Sequence, residues 1–198
     1  MTVPEIVRDL LDGNDFDRNL RRLHAHRREA IVYLLAVLGG ETPYEFGPGV
    51  HPIDALDAAH AAIRVLGAAE PDFVIGLLQD ALGSPAHHPA APLALAVADL
   101  GTAKMVEPLM VAIRHRDEWV REAACGGLRR ARARRALPLL NKAALDRSST
   151  VRSSAVKALK TLGDRTSLPF LQKRLKDRYP GIRTAAMAAI KAIEKRAR

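Results

Sequence analysis

The stretch Val151–Leu159, VRSSAVKAL, is matched without gaps by VREAACGGL from Val120 and by IRTAAMAAI from Ile182, both steps being 31 residues. The registry continues upstream. Val106, Leu137 and Leu168 are 31 apart, as are Leu109, Leu140 and Leu171. Within one copy, Val151, Ala155, Ala158 and Leu159 fall at i, i+4, i+7 and i+8, one face of an α-helix. Such a unit is too small to bury its own apolar face, and stacking on its neighbours supplies the core.

Working outward, a looser copy begins at Ile63 (IRVLGAAEPDFVIGLLQDAL), and its Leu66-Gly67 pair recurs at Leu100-Gly101 and Leu162-Gly163. The boundaries that follow are 63-99, 100-128, 129-159 and 160-198, after a divergent helical part at 1-62 with an inserted loop at 39-52. Within that first part, FDRNLRRLHAHRREAIVYLLAVLGG reads as one long helix ending at Gly39-Gly40. Tyr44 and Phe46, set among the glycines and prolines of the loop, are expected to fold back onto the end of the stack. The expectation is an all-α chain of about ten or eleven helices and no strands.

Composition agrees. Apolar residues make up 48% and aromatics only 4%, a mix that suits closely packed helices better than a β-sandwich. Cys125 is the single cysteine, so neither an intrachain disulfide nor a thiolate metal cluster can form. The acidic N-terminal stretch does not read as a signal peptide, and the longest apolar run, Ile31 to Leu38, is too short for a bilayer span. A cytoplasmic location without membrane contact is expected.

Charge divides the chain. Residues 1–99 carry seven Arg/Lys and fourteen Asp/Glu, a net of −7, whereas residues 100–198 carry twenty-four and eight, a net of +16. Such polarity suits a polyanionic partner or a like chain docking head to tail.

These repeats resemble HEAT repeats, in particular the short class found in phycobilin lyase subunits. The hallmark is an Asp six residues before the Arg of an apolar-Arg pair, present as Asp146 with Val151-Arg152 and Asp177 with Ile182-Arg183. The copy at Val120-Arg121 departs from it, with His115 at the hallmark position and Asp117 two residues later. The resemblance implies a right-handed α-α superhelix of the HEAT/armadillo kind, about five helix pairs long. It also implies that Arg121, Arg152 and Arg183 form a structural ladder with Asp146 and Asp177. Solenoids of this kind mostly supply surfaces, so the fold by itself names no activity.

One repeat breaks local rules. LRRARARRALPLL, from Leu128, places Arg129, Arg130, Arg132, Arg134 and Arg135 where the later copy has LKTLGDRTSLPFL. Arg132 aligns with Gly163, a residue suited to left-handed backbone at a helix end, and Ala133 aligns with the capping Asp164. Losing both is expected to cost about 1–2 kcal/mol. Such violations are commoner at functional sites, although a turn of different geometry with solvated arginines is the competing reading. Arg129, Lys160 and Lys191 form a second column 31 apart, beside an apolar column of Cys125, Val156 and Met187.

Catalytic signatures are missing. The seven histidines have no metal-ligand spacing, and the His-Glu pairs of HEAT-built iron hydroxylases do not occur. There is no Gly-rich phosphate loop and no Gly-x-Ser-x-Gly motif. HEAT-like DNA glycosylases combine a carboxylate with aromatics; Trp119 beside Asp117 and Glu118 is expected instead to cover the end of a repeat. The reading is therefore a non-enzymatic scaffold or adaptor, with no cofactor and no metal. It contacts an acidic protein through Arg129, Arg130, Arg132, Arg134, Arg135, Lys160 and Lys191. The alternative is a nucleic-acid-binding module on the same surface, with a phycobilin lyase subunit or a glycosylase as the enzyme-class reading.

Overall fold

The computed structural model describes residues 1–38, 42, 44–45, 50–83, 90–100 and 102–197. Among these the regular structure is helical, and two compact units are formed, Met1–Leu100 and Gly101–Arg198.

The first unit contains α1 (Val3–Leu11), α2 (Phe16–Leu23), α3 (Arg27–Leu38), α4 (Pro52–Ala68), α5 (Pro71–Gly83) and α6 (Ala90–Asp99). Glu5 accepts the Thr2 N–H at 2.7 Å and so satisfies a donor left over at the start of α1. Leu10, Leu23, Ile31, Leu34, Ile63, Leu66 and Leu78 are fully buried and form the centre of the unit. Where one long helix is expected from Phe16, a single 3-10 turn at His24–His26 separates α2 from α3. Gly67 does not end a helix; it lies inside α4, where a Cβ would meet Val74 Cγ2 at 2.9 Å. Glu70 ties α3 to α5, accepting from Arg27 Nε at 2.7 Å and Arg28 Nε at 2.8 Å. Tyr44 donates to Asp12 Oδ1 at 2.6 Å, which docks its part of the loop on the end of α1. Phe46, His87 and His88 lie outside the described residues.

The second unit repeats one plan. Short first helices α7 (Val106–Ala112), α9 (Leu137–Ala143) and α11 (Leu168–Arg174) alternate with longer second helices α8 (Glu118–Arg130), α10 (Ser149–Leu162) and α12 (Pro180–Arg196). A 3-10 turn precedes each first helix, at Ala103–Met105, Arg134–Ala136 and Arg165–Ser167. Pro138 and Pro169 sit in the first turns of α9 and α11, where a missing N–H costs nothing.

The registry is met in space. Val120 and Val151 are 0% exposed and Ile182 4%, while Leu109, Leu140 and Leu171 are all 0%. Helix α10 packs between α8 and α12 and buries Val151, Ala155, Ala158 and Leu159 completely. A fully buried Val or Leu contributes about 1.5–3 kcal/mol. The last of these three repeats leaves more of its apolar face open. Leu175 is 39% exposed although its equivalents Ile113 and Ala144 are buried, and Met187 is 52% exposed although Cys125 and Val156 are 0%. The expected apolar surface column is therefore buried packing at its first two positions. Burial pushes the Cys125 thiol up to about 12, which leaves it unreactive.

Candidate binding surface

The turn between the two helices of each repeat is organised by one hydrogen-bonding scheme. Asp146 accepts the N–H of Ser148 at 2.8 Å, and Asp177 accepts that of Tyr179 at 3.1 Å. At the same place in the preceding repeat, His115 Nδ1 accepts the Asp117 N–H at 3.1 Å, an imidazole doing the work of a carboxylate. Burial holds the His115 pKa below its usual value, which favours the neutral ring that this bond requires.

Arginines then join the repeats. Arg121 grips Asp146 through Nε and Nη2, both at 2.8 Å, and its Nη1 donates to the carbonyls of His115 and Arg116. Arg152 repeats this with Asp177, at 2.8 and 3.1 Å, and with the carbonyls of Asp146 and Arg147. Among the described residues Arg183 bonds only the carbonyls of Asp177 and Arg178. The hydrogen bonds from Arg152, with help from the Tyr179 N–H and Arg174, hold Asp177 at about 2 against the cost of burial. Burial alone would raise Asp146, but Arg121 and the Ser148 N–H outweigh it and leave the carboxyl lowered. These guanidinium groups serve the stack.

The arginine-rich corner is built differently. Helix α8 stops at Arg130, and Arg132 follows with φ 51°, the one non-glycine residue among the described residues whose φ lies in the left-handed region. The N–H of Ala133 donates to Leu128 C=O at 3.0 Å and that of Arg132 to Arg129 C=O at 3.1 Å, the paired bonds of a left-handed helix stop. Ala133 has φ −75° and ψ 76°, and the Arg134 N–H closes a tight turn onto Arg132 C=O at 2.9 Å. In the next repeat Gly163 is extended, at φ −60° and ψ 153°, so the expectation of left-handed backbone there is corrected. Glycine is needed at 163 for close approach: a Cβ would stand 2.5 Å from Leu159 O and 2.9 Å from Ile193 Cδ1. Asp164 caps the following turn through Thr166 N–H at 2.9 Å, whereas Ala133 has no side chain able to do so.

Beside this corner is an open cavity of about 720 Å³ whose lining includes Arg132, Arg134, Arg165 and Arg196 against a single carboxylate, Asp164. Arg196 is anchored by bonds to the carbonyls of Lys160 (2.9 Å) and Gly163 (3.0 Å), and Arg165 by one to Ala197 C=O at 3.3 Å. Arg132 and Arg134 are exposed, and neither guanidinium has a hydrogen bond or ion pair among the described residues. The Thr166 hydroxyl, chiefly, holds the Asp164 carboxyl below the usual range, with the Thr166 N–H and Arg134 adding to the effect. The arrangement can take an anion with several oxygens, each guanidinium offering forked donors.

The remaining sequence candidates fall elsewhere. Arg135 pairs with Glu107 at 2.8 Å, Arg129 is half-buried, and Arg130, Lys160 and Lys191 are exposed without lining the cavity. Arg165 and Arg196 were not among the sequence candidates, yet the signal was there: Arg134, Arg165 and Arg196 are spaced by 31 residues. Trp119 does not cover a repeat end; it is 57% exposed. Among the described residues no group of His, Cys, Asp and Glu side chains is placed to hold a metal ion. No helix among them is long and apolar enough to cross a membrane.

Residues 106–191 match the HEAT-repeat family. That stretch of the second unit carries HEAT repeats. The match does not single out the phycobilin-lyase class. No curated protein is significantly similar in sequence. Solved structures similar in fold include an engineered protein from a structural genomics programme (TM-score 0.56, 17% identity, 98% of each chain). Another is a computationally designed armadillo repeat protein for modular peptide recognition (0.56, 17%, covering 97% of this chain and 100% of that one). A third is a designed armadillo repeat protein in complex with the peptide (KR)4 (0.54, 19%, covering 98% of this chain and 100% of that one). At these identities the likeness shows the fold alone, an α-solenoid.

Proposed function

We propose that this protein is a non-enzymatic binding scaffold that docks an acidic segment of a partner protein on its basic unit. The segment seats at the Arg132–Arg134–Arg165–Arg196 cavity. The observation that carries the reading is Arg132 in left-handed backbone at φ 51°. Left-handed conformation costs a non-glycine residue about 1–2 kcal/mol. The fold gains nothing in return, since that guanidinium makes no described bond. A glycine would make the same turn without the charge. The designed armadillo proteins of similar fold recognise peptides, which supports a protein segment as ligand.

The net +16 of residues 100–198 also attracts nucleic acid. The cavity favours the protein reading: its four arginines surround one concave site rather than following a phosphate backbone. Capture of partners from native cells, with and without nuclease, tests this. Arg132→Gly/Arg134→Ser is the appropriate variant, because neither side chain has a described bond to lose. We expect wild type to retain a defined protein partner after nuclease treatment and the variant to lose it. A partner retained equally by both, or a complex dissolved by nuclease, would overturn the assignment.

A further inference from the structure

A second cavity lies at the other ends of α10 and α12, about 560 Å³ in volume and lined by Trp119, Ser149, Ser153, Lys157, Tyr179 and Glu122 among others. Two aromatic rings line it. Trp119 is 57% exposed and Tyr179 41%, and no contact within the stack explains either exposure. The registry accounts for its depth: the positions aligned with Trp119 are Thr150 and Gly181, so one large ring stands beside small residues. The Tyr179 ring is held in place, with the Arg178 guanidinium 4.6 Å over one face and donating to its Oη at 2.8 Å.

The hydrogen-bonding chemistry of the lining leans towards donors. The Trp119 indole N–H and Lys157 Nζ can only donate, and with the Ser149 and Ser153 hydroxyls they have no partner among the described residues. Glu122, the one carboxylate of the lining, already accepts from the Ser154 hydroxyl. The matching ligand is rich in carbonyls, poor in N–H groups and flat on its apolar side. A polyproline II segment has those properties: its carbonyls lack internal hydrogen bonds, and its prolines have no N–H. Aromatic-lined grooves recognise such segments with little ordering cost. Nucleic acid fits less well, because Glu122 lines the groove and Asp117 and Glu118 adjoin Trp119 in the chain.

We propose that this groove docks a proline-rich segment of a partner protein. Prolines lie against Trp119 and Tyr179, and carbonyls accept from Ser149, Ser153 and Lys157. The site is separate from the arginine cavity, so the two together make an adaptor with two chemically distinct contacts.

Trp119 is the only tryptophan in the chain, so its emission reports this groove directly. The test titrates decaproline, a Gly-Ser decapeptide and oligothymidylate into the full chain. Binding of decaproline to Trp119→Ala is followed by calorimetry. The expected result is a saturable emission shift with decaproline alone, weakened about tenfold or more by Tyr179→Ala and unchanged in Arg132→Gly/Arg134→Ser. Loss of calorimetric binding in Trp119→Ala completes it. An equal response to the Gly-Ser peptide, a stronger one to oligothymidylate, or no response to decaproline would overturn the proposal. Because the arginine variant retains the groove, failure here is distinguishable from failure of the arginine site.

Discussion

Arg132 and Asp177 hold charge for opposite ends. Asp177 is 6% exposed and is gripped by Arg152, Arg174 and the Tyr179 N–H. Its folded pKa is lowered to about 2 from 3.8, so its contribution is present above the unfolded value and is lost as pH falls through about 2. That linkage is worth about 2 kcal/mol at neutral pH. Asp177→Ala, which leaves Arg152 buried without its carboxylate, should cost about 3–5 kcal/mol. It should also flatten the acid limb of the melting profile between about pH 4 and pH 2; an unchanged limb would assign the linkage to other groups. Arg132→Gly should melt at or up to about 1 kcal/mol above wild type, the relieved backbone strain being partly offset by a freer unfolded chain. A clear drop in melting temperature would mean that the side chain supports the turn. The Arg and Asp positions were legible from their spacing. The backbone of Arg132 was not, because α8 ends at Arg130 while α10 reaches Leu162, one residue further in register.

Helix α10 is the element on which the stack depends, since it packs on α8, α9 and α12. Ala155 is 0% exposed at its centre, and Ala155→Asp would bury an unpaired charge. The variant should unfold cooperatively tens of degrees earlier or fail to fold; near-wild-type melting would contradict the assigned face. The second helices could be read from the sequence because a 3.6-residue apolar stripe recurs at a fixed interval. The break at His24–His26 could not. One 3-10 turn keeps Leu23, Ala30 and Ile31 on the buried side, so apolar spacing does not register it. His115 was legible only as a departure. Its role depends on a ring nitrogen accepting one N–H, a property of geometry and not of residue class. The exposure of Leu175 and Met187 follows from position in the stack, which no local pattern encodes.

At the scale of the molecule, charge separates with the two compact units, net −7 before residue 100 and +16 after it. The division was plain from counting residues. The cavity where four arginines meet was only half legible, because the sequence singled out Arg132 and Arg134 while their cavity neighbours come from later repeats. Attraction at such a surface is long-range and weakens with salt. The most direct measurement is anisotropy of a labelled polyglutamate peptide and a labelled DNA duplex against wild type and Arg132→Gly/Arg134→Ser, at two salt concentrations, with melting curves in parallel. The account predicts tighter binding to polyglutamate than to duplex at physiological salt, and a loss of about tenfold or more in the variant, about 1.4 kcal/mol, with melting undiminished. Equal binding by both proteins, or a preference for duplex with a steep salt dependence, would contradict it.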